Sequence, residues 1–205
     1  IIKKQGNKDI MRTTNEYYKS IQGWSDESIY SLYSDMIDLH DNATFVEIGS
    51  WKGMSASFLG SSILEAKKNI KVYAIDIWAG DEGRQEELKK EAGGGDFIFK
   101  EFLTHIKNCG LQQIVTPYRL PSVLAADIFD DNSLDFVFID ACHVVEEVDK
   151  DIKAWLPKVK KNGYIGGHDY PYIQSAVKKY FPEENIKGYI SDGNTVASWL
   201  VHKLG

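Results

Sequence analysis

The sequence predicts an α/β protein: a Rossmann-like, doubly wound sheet of seven strands, mostly parallel with an antiparallel edge strand, and helices on both faces. Three observations carry this. Short apolar or β-branched runs alternate with stretches of helical spacing from residue 44 onward, the order that builds a parallel sheet. Three of the runs close on an acid (Glu47, Asp76 and Asp140), and a fourth closes on His168-Asp169. The first run leads into a loop bracketed by glycines, Gly49-Ser50-Trp51-Lys52-Gly53. Ligands of such sheets bind beyond the carboxyl ends of the strands, so topology alone brings these polar groups together.

The elements follow in order. Residues 1–13 are polar and basic and read as a loose or strapping segment, and Asn15 to Ile21 as a short helix. Ser25-Asp26 is an N-cap, and Ile29, Leu32, Tyr33, Met36 and Ile37 follow at helical spacing. Residues 1–40 are thus expected to form a helical cap on a single domain spanning 1–205. Thr44–Ile48 is a buried strand, and Met54, Phe58, Leu59 and Ile63 mark the helix after it. Lys71–Asp76 is the second strand. Residues 79–96, charged and ending in Gly93-Gly94-Gly95, read as an inserted, mobile segment. A helix over 97–108 precedes a third strand, Ile114–Tyr118, whose Pro117 points to an edge or a strand end. A short helix over 122–126 is followed by Leu134–Asp140, the clearest buried strand. A helix runs from Val144 to Trp155, a turn lies at Lys160–Gly163, and a fifth strand starts at Tyr164. Ile173–Tyr180 is helical. Lys187–Ser191 and Thr195–His202 close the chain as an antiparallel pair.

The loop after the first strand narrows the ligand. It has neither G-x-G-x-x-G nor a phosphate-binding G-x-x-x-x-G-K-[ST], and an acid two residues before its first glycine would repel phosphate. A cationic ligand, such as the ammonium and sulfonium of S-adenosylmethionine, suits it. Glu47, Gly49, Ser50, Trp51 and Gly53 are therefore candidate cofactor residues, against the alternative of a glycine packing turn. Asp76 closes the second strand, where a carboxylate matches a vicinal ribose diol; the competing role is a cap on the next helix. Ile77 and Trp78 follow and are candidates for the pocket wall, with simple packing the alternative for Trp78. In the loop after the third strand, Leu120 and Ser122 are candidates for the adenine side.

Composition bounds the rest. The chain has 205 residues, 43% of them hydrophobic, and a net charge of -6, which argues against a nucleic-acid-coating surface. No apolar run approaches the roughly 20 residues that span a bilayer. Cys109 and Cys142 are too few for a disulfide framework and point to a reducing, cytoplasmic setting. The first residue is Ile1, so the sequence reads as part of something longer.

Together, Val46-Glu47-Ile48-Gly49-Ser50-Trp51-Lys52-Gly53, Val72–Asp76, Asp135–His143 and Gly163–Tyr170 resemble the class I S-adenosylmethionine-dependent methyltransferases. The likeness is to the methyltransferase family 24 type, related to macrocin and novobiocin sugar O-methyltransferases and cephalosporin hydroxylase-like proteins. The resemblance implies methyl transfer to a small-molecule or sugar hydroxyl. It also implies cofactor contacts at Glu47, Gly49, Ser50 and Asp76. A divalent metal, typically Mg²⁺, would be held by Asp140, which also borders the cofactor, with His168 and Asp169; Asp140, His143 and Asp169 are then the catalytic candidates. Two positions depart from the pattern. Cys142 stands where sugar-methylating relatives carry the Asp proposed as base, which leaves His143 to take the proton or to serve as a helix-start residue. His168 stands where some relatives have an Asp, and imidazole favours Mn²⁺, Fe²⁺ or Zn²⁺ over Mg²⁺. The alternative function is a module that binds S-adenosylmethionine or S-adenosylhomocysteine with impaired chemistry. The expected partner is a small-molecule acceptor, with neither nucleic acid nor membrane; a homo-oligomer stays open.

Overall fold

The structure is a computed structural model and describes residues 3–5, 15–79 and 96–204. Its sheet contains β1 (Lys3–Gln5), β2 (Asn42–Ile48), β3 (Asn69–Asp76), β4 (Val115–Arg119), β5 (Leu134–Ile139), β6 (Val159–Gly167), β7 (Ile186–Ile190) and β8 (Val196–His202). The strand order is β1-β7-β8-β6-β5-β2-β3-β4. All pairings are parallel except those of β8, which lies between β6 and β7 and runs against both. The expected α/β fold is there, with an eighth strand added. Lys3–Gln5, expected as a loose segment, pairs with Lys187–Tyr189; an edge strand joined through its backbone needs no apolar signature. The turn expected at Lys160–Gly163 is an irregularity inside β6. Leu134 of β5 pairs with Val159 and Phe136 with Tyr164, and Asn162 there takes a positive φ of 63°.

Among the described residues the α-helices are α1 (Glu27–Leu39), α2 (Met54–Ala66), α3 (Phe97–Asn108), α4 (Ser122–Ala126), α5 (Val145–Trp155) and α6 (Tyr170–Tyr180). The short helix after Asn15 is a 3-10 turn, Glu16–Ser20. Helices α1 to α3 cover one face, burying Ile29, Leu32, Tyr33, Phe58 and Phe102 against Phe45, Phe136 and Phe138. Helices α4 to α6 cover the other, where Ile152, Trp155, Ile173 and Val177 pack on Val46, Val137 and Ile165. Alternate residues of β2 and β5 thus serve opposite cores, as a strand buried on both faces requires. Most of the expected insertion, residues 80–95, lies outside the described residues.

Candidate functional site

Every polar group singled out in the sequence sits at or just past the carboxyl end of a strand. Glu47 is the penultimate residue of β2 and Asp76 the last of β3; Asp140 follows β5, and His168 and Asp169 follow β6. The glycine loop turns sharply. Gly49 has φ 89°, Trp51 φ 45° and Gly53 φ 88°, and the Gly53 N–H donates to the Ser50 carbonyl at 2.8 Å. Gly49 has no room for a side chain: a Cβ there would lie 2.1 Å from the Asp140 carbonyl oxygen. The loop is thus pinned against the end of β5, and the Asp140 N–H donates to Ile48 O at 2.9 Å.

Glu47 points beneath this loop. It is 1% exposed and accepts from the Tyr33 hydroxyl at 2.7 Å and the Ser50 hydroxyl at 2.6 Å. Burial raises its pKa, against the pull of Ser50, Ser55 and Tyr33. Asp76 ties the loop to β3: one oxygen accepts from the Trp51 N–H at 2.8 Å, the other from the Trp78 N–H at 2.6 Å. Its pKa is also raised by burial, opposed by the Trp78, Trp51 and Ile77 N–H groups. A carboxylate oxygen accepts more than one hydrogen bond, so Asp76 keeps acceptor capacity. Ile77 is exposed, whereas Trp78 is fully buried between Phe99 and Phe102. Its indole N–H donates to Trp51 O at 2.6 Å, so Trp78 holds the loop from below. Ser122 faces α5, accepting from the Trp155 indole at 2.9 Å. The indole nitrogen of Trp51 is buried without a hydrogen-bond partner.

The second half of the site lies past β5 and β6. Asp140, His168 and Asp169 each offer one ligand atom, all within 4.8 Å of one another. His168 Nδ1 is 3.7 Å from Asp140 Oδ1 and 3.4 Å from Asp169 Oδ2. His143 Nδ1 is 2.9 Å from Asp169 Oδ2, and its side chain is 64% exposed. Asp169 caps α6 with φ 55°. The electrostatics are those of crowded carboxylates. Burial, together with Asp169 and Glu47, pushes Asp140 up to about 7, although His168 and His143 pull it down. His168 rises to about 10: burial would lower it, but Asp169, Asp26 and Asp140 outweigh that. Asp169 falls well below the usual range because His143 and His168 overcome its burial. His143 is raised by its bond to Asp169. Cys142 is an exposed free thiol beside the cluster.

The donor set of one imidazole and two carboxylates fits a divalent ion. Mixed nitrogen and oxygen ligation suits Mn²⁺, Fe²⁺ or Zn²⁺ better than Mg²⁺. The sequence did not mark two further residues. Tyr33, read as core, satisfies Glu47; a buried tyrosine needs a partner for its hydroxyl, and that was the available signal. Asp26, read only as a cap, reaches His168 Nε2 at 3.3 Å.

A family model described as a methyltransferase domain matches residues 46–170, the stretch that carries the glycine loop, Asp76, Asp140, His143, His168 and Asp169. The chain belongs to this methyltransferase family. An uncharacterized mimivirus protein, R132, is 30% identical over 147 residues, covering 68% of this chain; the chain spans 59% of that relative. Two solved structures share the fold. A SAM-dependent O-methyltransferase from Thermotoga maritima matches with a TM-score of 0.62 at 16% identity, over 91% of this chain and 68% of its own. The O-methyltransferase NovP matches with a TM-score of 0.61 at 18% identity, over 87% and 79%. The domain is thus a class I methyltransferase fold, the type that uses S-adenosylmethionine. No described helix is long and apolar enough to cross a membrane.

Proposed function

We propose that this domain transfers the methyl group of S-adenosylmethionine to a hydroxyl oxygen of a small molecule or sugar. The observation that supports this is the abutment of the glycine loop on Asp140, which brings that loop next to the Asp140–His168–Asp169 group. The O-methyltransferases that share the fold add support.

Each residue has a role in this reading. Gly49, Ser50, Trp51 and Gly53 present backbone to the methionine end of the donor. Asp76 receives the ribose diol, and Ile77 borders the adenine side; Ser122, bonded to Trp155, takes no part. Glu47, from below, supplies negative potential suited to a sulfonium. Asp140, His168 and Asp169 would hold a divalent ion, and the chemistry such an ion would supply is to make an acceptor hydroxyl more acidic. His143, its Nδ1 engaged by Asp169, turns its other ring nitrogen toward the acceptor proton; Asp169 fixes the ring and its tautomer. The acceptor oxygen forms the new bond to the methyl carbon as the carbon–sulfur bond breaks. The proton goes to His143 and the electron pair to sulfur, leaving neutral S-adenosylhomocysteine. Holding oxygen, carbon and sulfur in line is most of what the protein must supply.

The second reading, a binding module with impaired chemistry, rests on Cys142, an exposed thiol with no carboxylate's ability to take a proton. Release of S-adenosylhomocysteine from a panel of sugars and other vicinal diols, with and without Mg²⁺ or Mn²⁺, separates the two. Turnover with any acceptor supports the enzyme. Tight S-adenosylhomocysteine binding with no release across the panel supports the module.

A further inference from the structure

Asp26 stands in the sequence 142 residues from His168 and outside the stretch matched by the family model, yet its carboxylate is built into the cluster. One oxygen is fully used locally. Asp26 Oδ1 accepts from the Ser28 N–H at 2.8 Å, the Ile29 N–H at 3.4 Å and the Ser28 hydroxyl at 2.5 Å. That hydroxyl is itself 2.7 Å from the buried Ser198 hydroxyl of β8. The carboxylate is therefore fixed in rotation by the start of α1 and by the sheet. Its other oxygen, Oδ2, is left aimed at His168 Nε2, 3.3 Å away. Nδ1, the opposite ring nitrogen, faces Asp140 and Asp169.

We propose that Asp26 is the positioning residue that makes His168 a metal ligand, and so gives the site a nitrogen donor and a preference for a first-row transition ion over Mg²⁺. This inference rests on the metal reading of the Asp140–His168–Asp169 group. Imidazole ligates only through an unprotonated nitrogen. A carboxylate accepting from Nε2–H keeps a proton on that side and holds the ring plane, so that Nδ1, which faces the two acids, is the nitrogen that would ligate once a metal displaces its proton. Mg²⁺ gains little from an imidazole, whereas Mn²⁺ and Co²⁺ accept one readily. The residues from Gln22 to Asp26 also touch the glycine loop. Gln22 accepts from Lys52 Nζ at 2.6 Å, and the Trp24 ring lies 5.7 Å from that of Trp51. The segment that sets the metal ligand thus also borders the donor loop.

The test is calorimetric titration of Mn²⁺ and Mg²⁺ into the intact protein saturated with S-adenosylhomocysteine, paired with pulsed EPR of bound Mn²⁺ for imidazole nitrogen coupling. The variants are Asp26→Asn and Asp26→Ser. Both residues still cap α1, but Asn can present an N–H to Nε2 and reverse the hydrogen bond, while Ser cannot reach the ring. His168→Asp is the control that lacks the nitrogen. The parent is expected to bind Mn²⁺ at least tenfold more tightly than Mg²⁺ and to show nitrogen coupling. Asp26→Asn is expected to lose about 10- to 100-fold in Mn²⁺ affinity with weakened coupling, while Mg²⁺ affinity moves much less. Parent-like Mn²⁺ affinity and coupling in both Asp26 variants would overturn the role of Asp26 and leave the metal reading standing. A parent that binds neither ion would overturn both. Equal parental affinity for the two ions would overturn the claimed preference.

Discussion

Replacing Gly49 by alanine tests the closest backbone approach to any of the described glycines. An added Cβ would lie 2.1 Å from the Asp140 carbonyl oxygen, 2.5 Å from its carbon and 2.6 Å from Ala141 Cα. All three are backbone atoms, so no side chain can swing aside. The residue also sits at φ 89°, where a side chain costs about 1–2 kcal/mol. Overpacking that forces backbone to move adds about 1–3 kcal/mol, for a total of about 2–5 kcal/mol. Gly110 isolates the first contribution, because it has φ 71° and nothing within 4 Å of its added Cβ. Gly110→Ala is therefore expected to lose only the conformational part. Urea unfolding of the two variants reads the difference directly. Gly49→Ala should also separate the loop from Asp140 by a fraction of an ångström to 1 Å. Displacement on that scale can reduce turnover by about 100-fold, while Gly110→Ala leaves turnover near that of the parent. Equal destabilisation by the two substitutions would refute the claim that loop and strand end are in hard contact.

Other outcomes follow from the same geometry. Tyr33→Phe leaves the buried Glu47 Oε1 without its hydroxyl donor and should destabilise the fold by about 1–3 kcal/mol, read from the urea midpoint. Asp140→Asn should abolish turnover while leaving S-adenosylhomocysteine affinity within a few-fold by calorimetry; parent-like activity would remove Asp140 from the chemistry. His143→Ala should lower kcat by about 10²–10⁴-fold with donor affinity unchanged. Asp151 is buried beside Ser122, and burial pushes its pKa up from 3.8 to about 6. A raised carboxyl pKa means that the folded state holds the proton longer, so this group lowers stability progressively as pH rises from about 4 to about 6. Asp151→Asn should remove that slope and be more stable than the parent at pH 7 by up to about 3 kcal/mol, as denaturation at several pH values will reveal.

The strands that frame the site were legible because both faces of the sheet are covered. Phe45, Val46 and Ile48 in one strand and Phe136 to Ile139 in the other are buried from two sides, so they read as short apolar runs, and the acids at or next to their ends, Glu47 and Asp140, stand out. Helix α1 was legible through its apolar stripe and its Asp26 cap. Lys3–Gln5 was not, because a strand joined to the sheet edge by backbone pairing leaves no pattern in its side chains. Sequence also fails to say which way a residue at a strand end will turn. Trp78 and Ser122 both follow strands that feed the crevice, yet Trp78 drops into the core beneath the loop and Ser122 bonds to Trp155 on α5. Asp26 shows the limit most clearly. Its local bonds, two and three residues ahead, are visible in the chain, while its bond to His168 depends on the whole fold.

Titration of the purified protein with S-adenosylhomocysteine, against NAD as the competing dinucleotide, tests the central claim most directly. One molecule of S-adenosylhomocysteine bound per chain, weakened at least tenfold by Asp76→Ala, with no heat from NAD, is the expected result. Binding of NAD with none of S-adenosylhomocysteine would contradict the assignment of this crevice to a methyl donor.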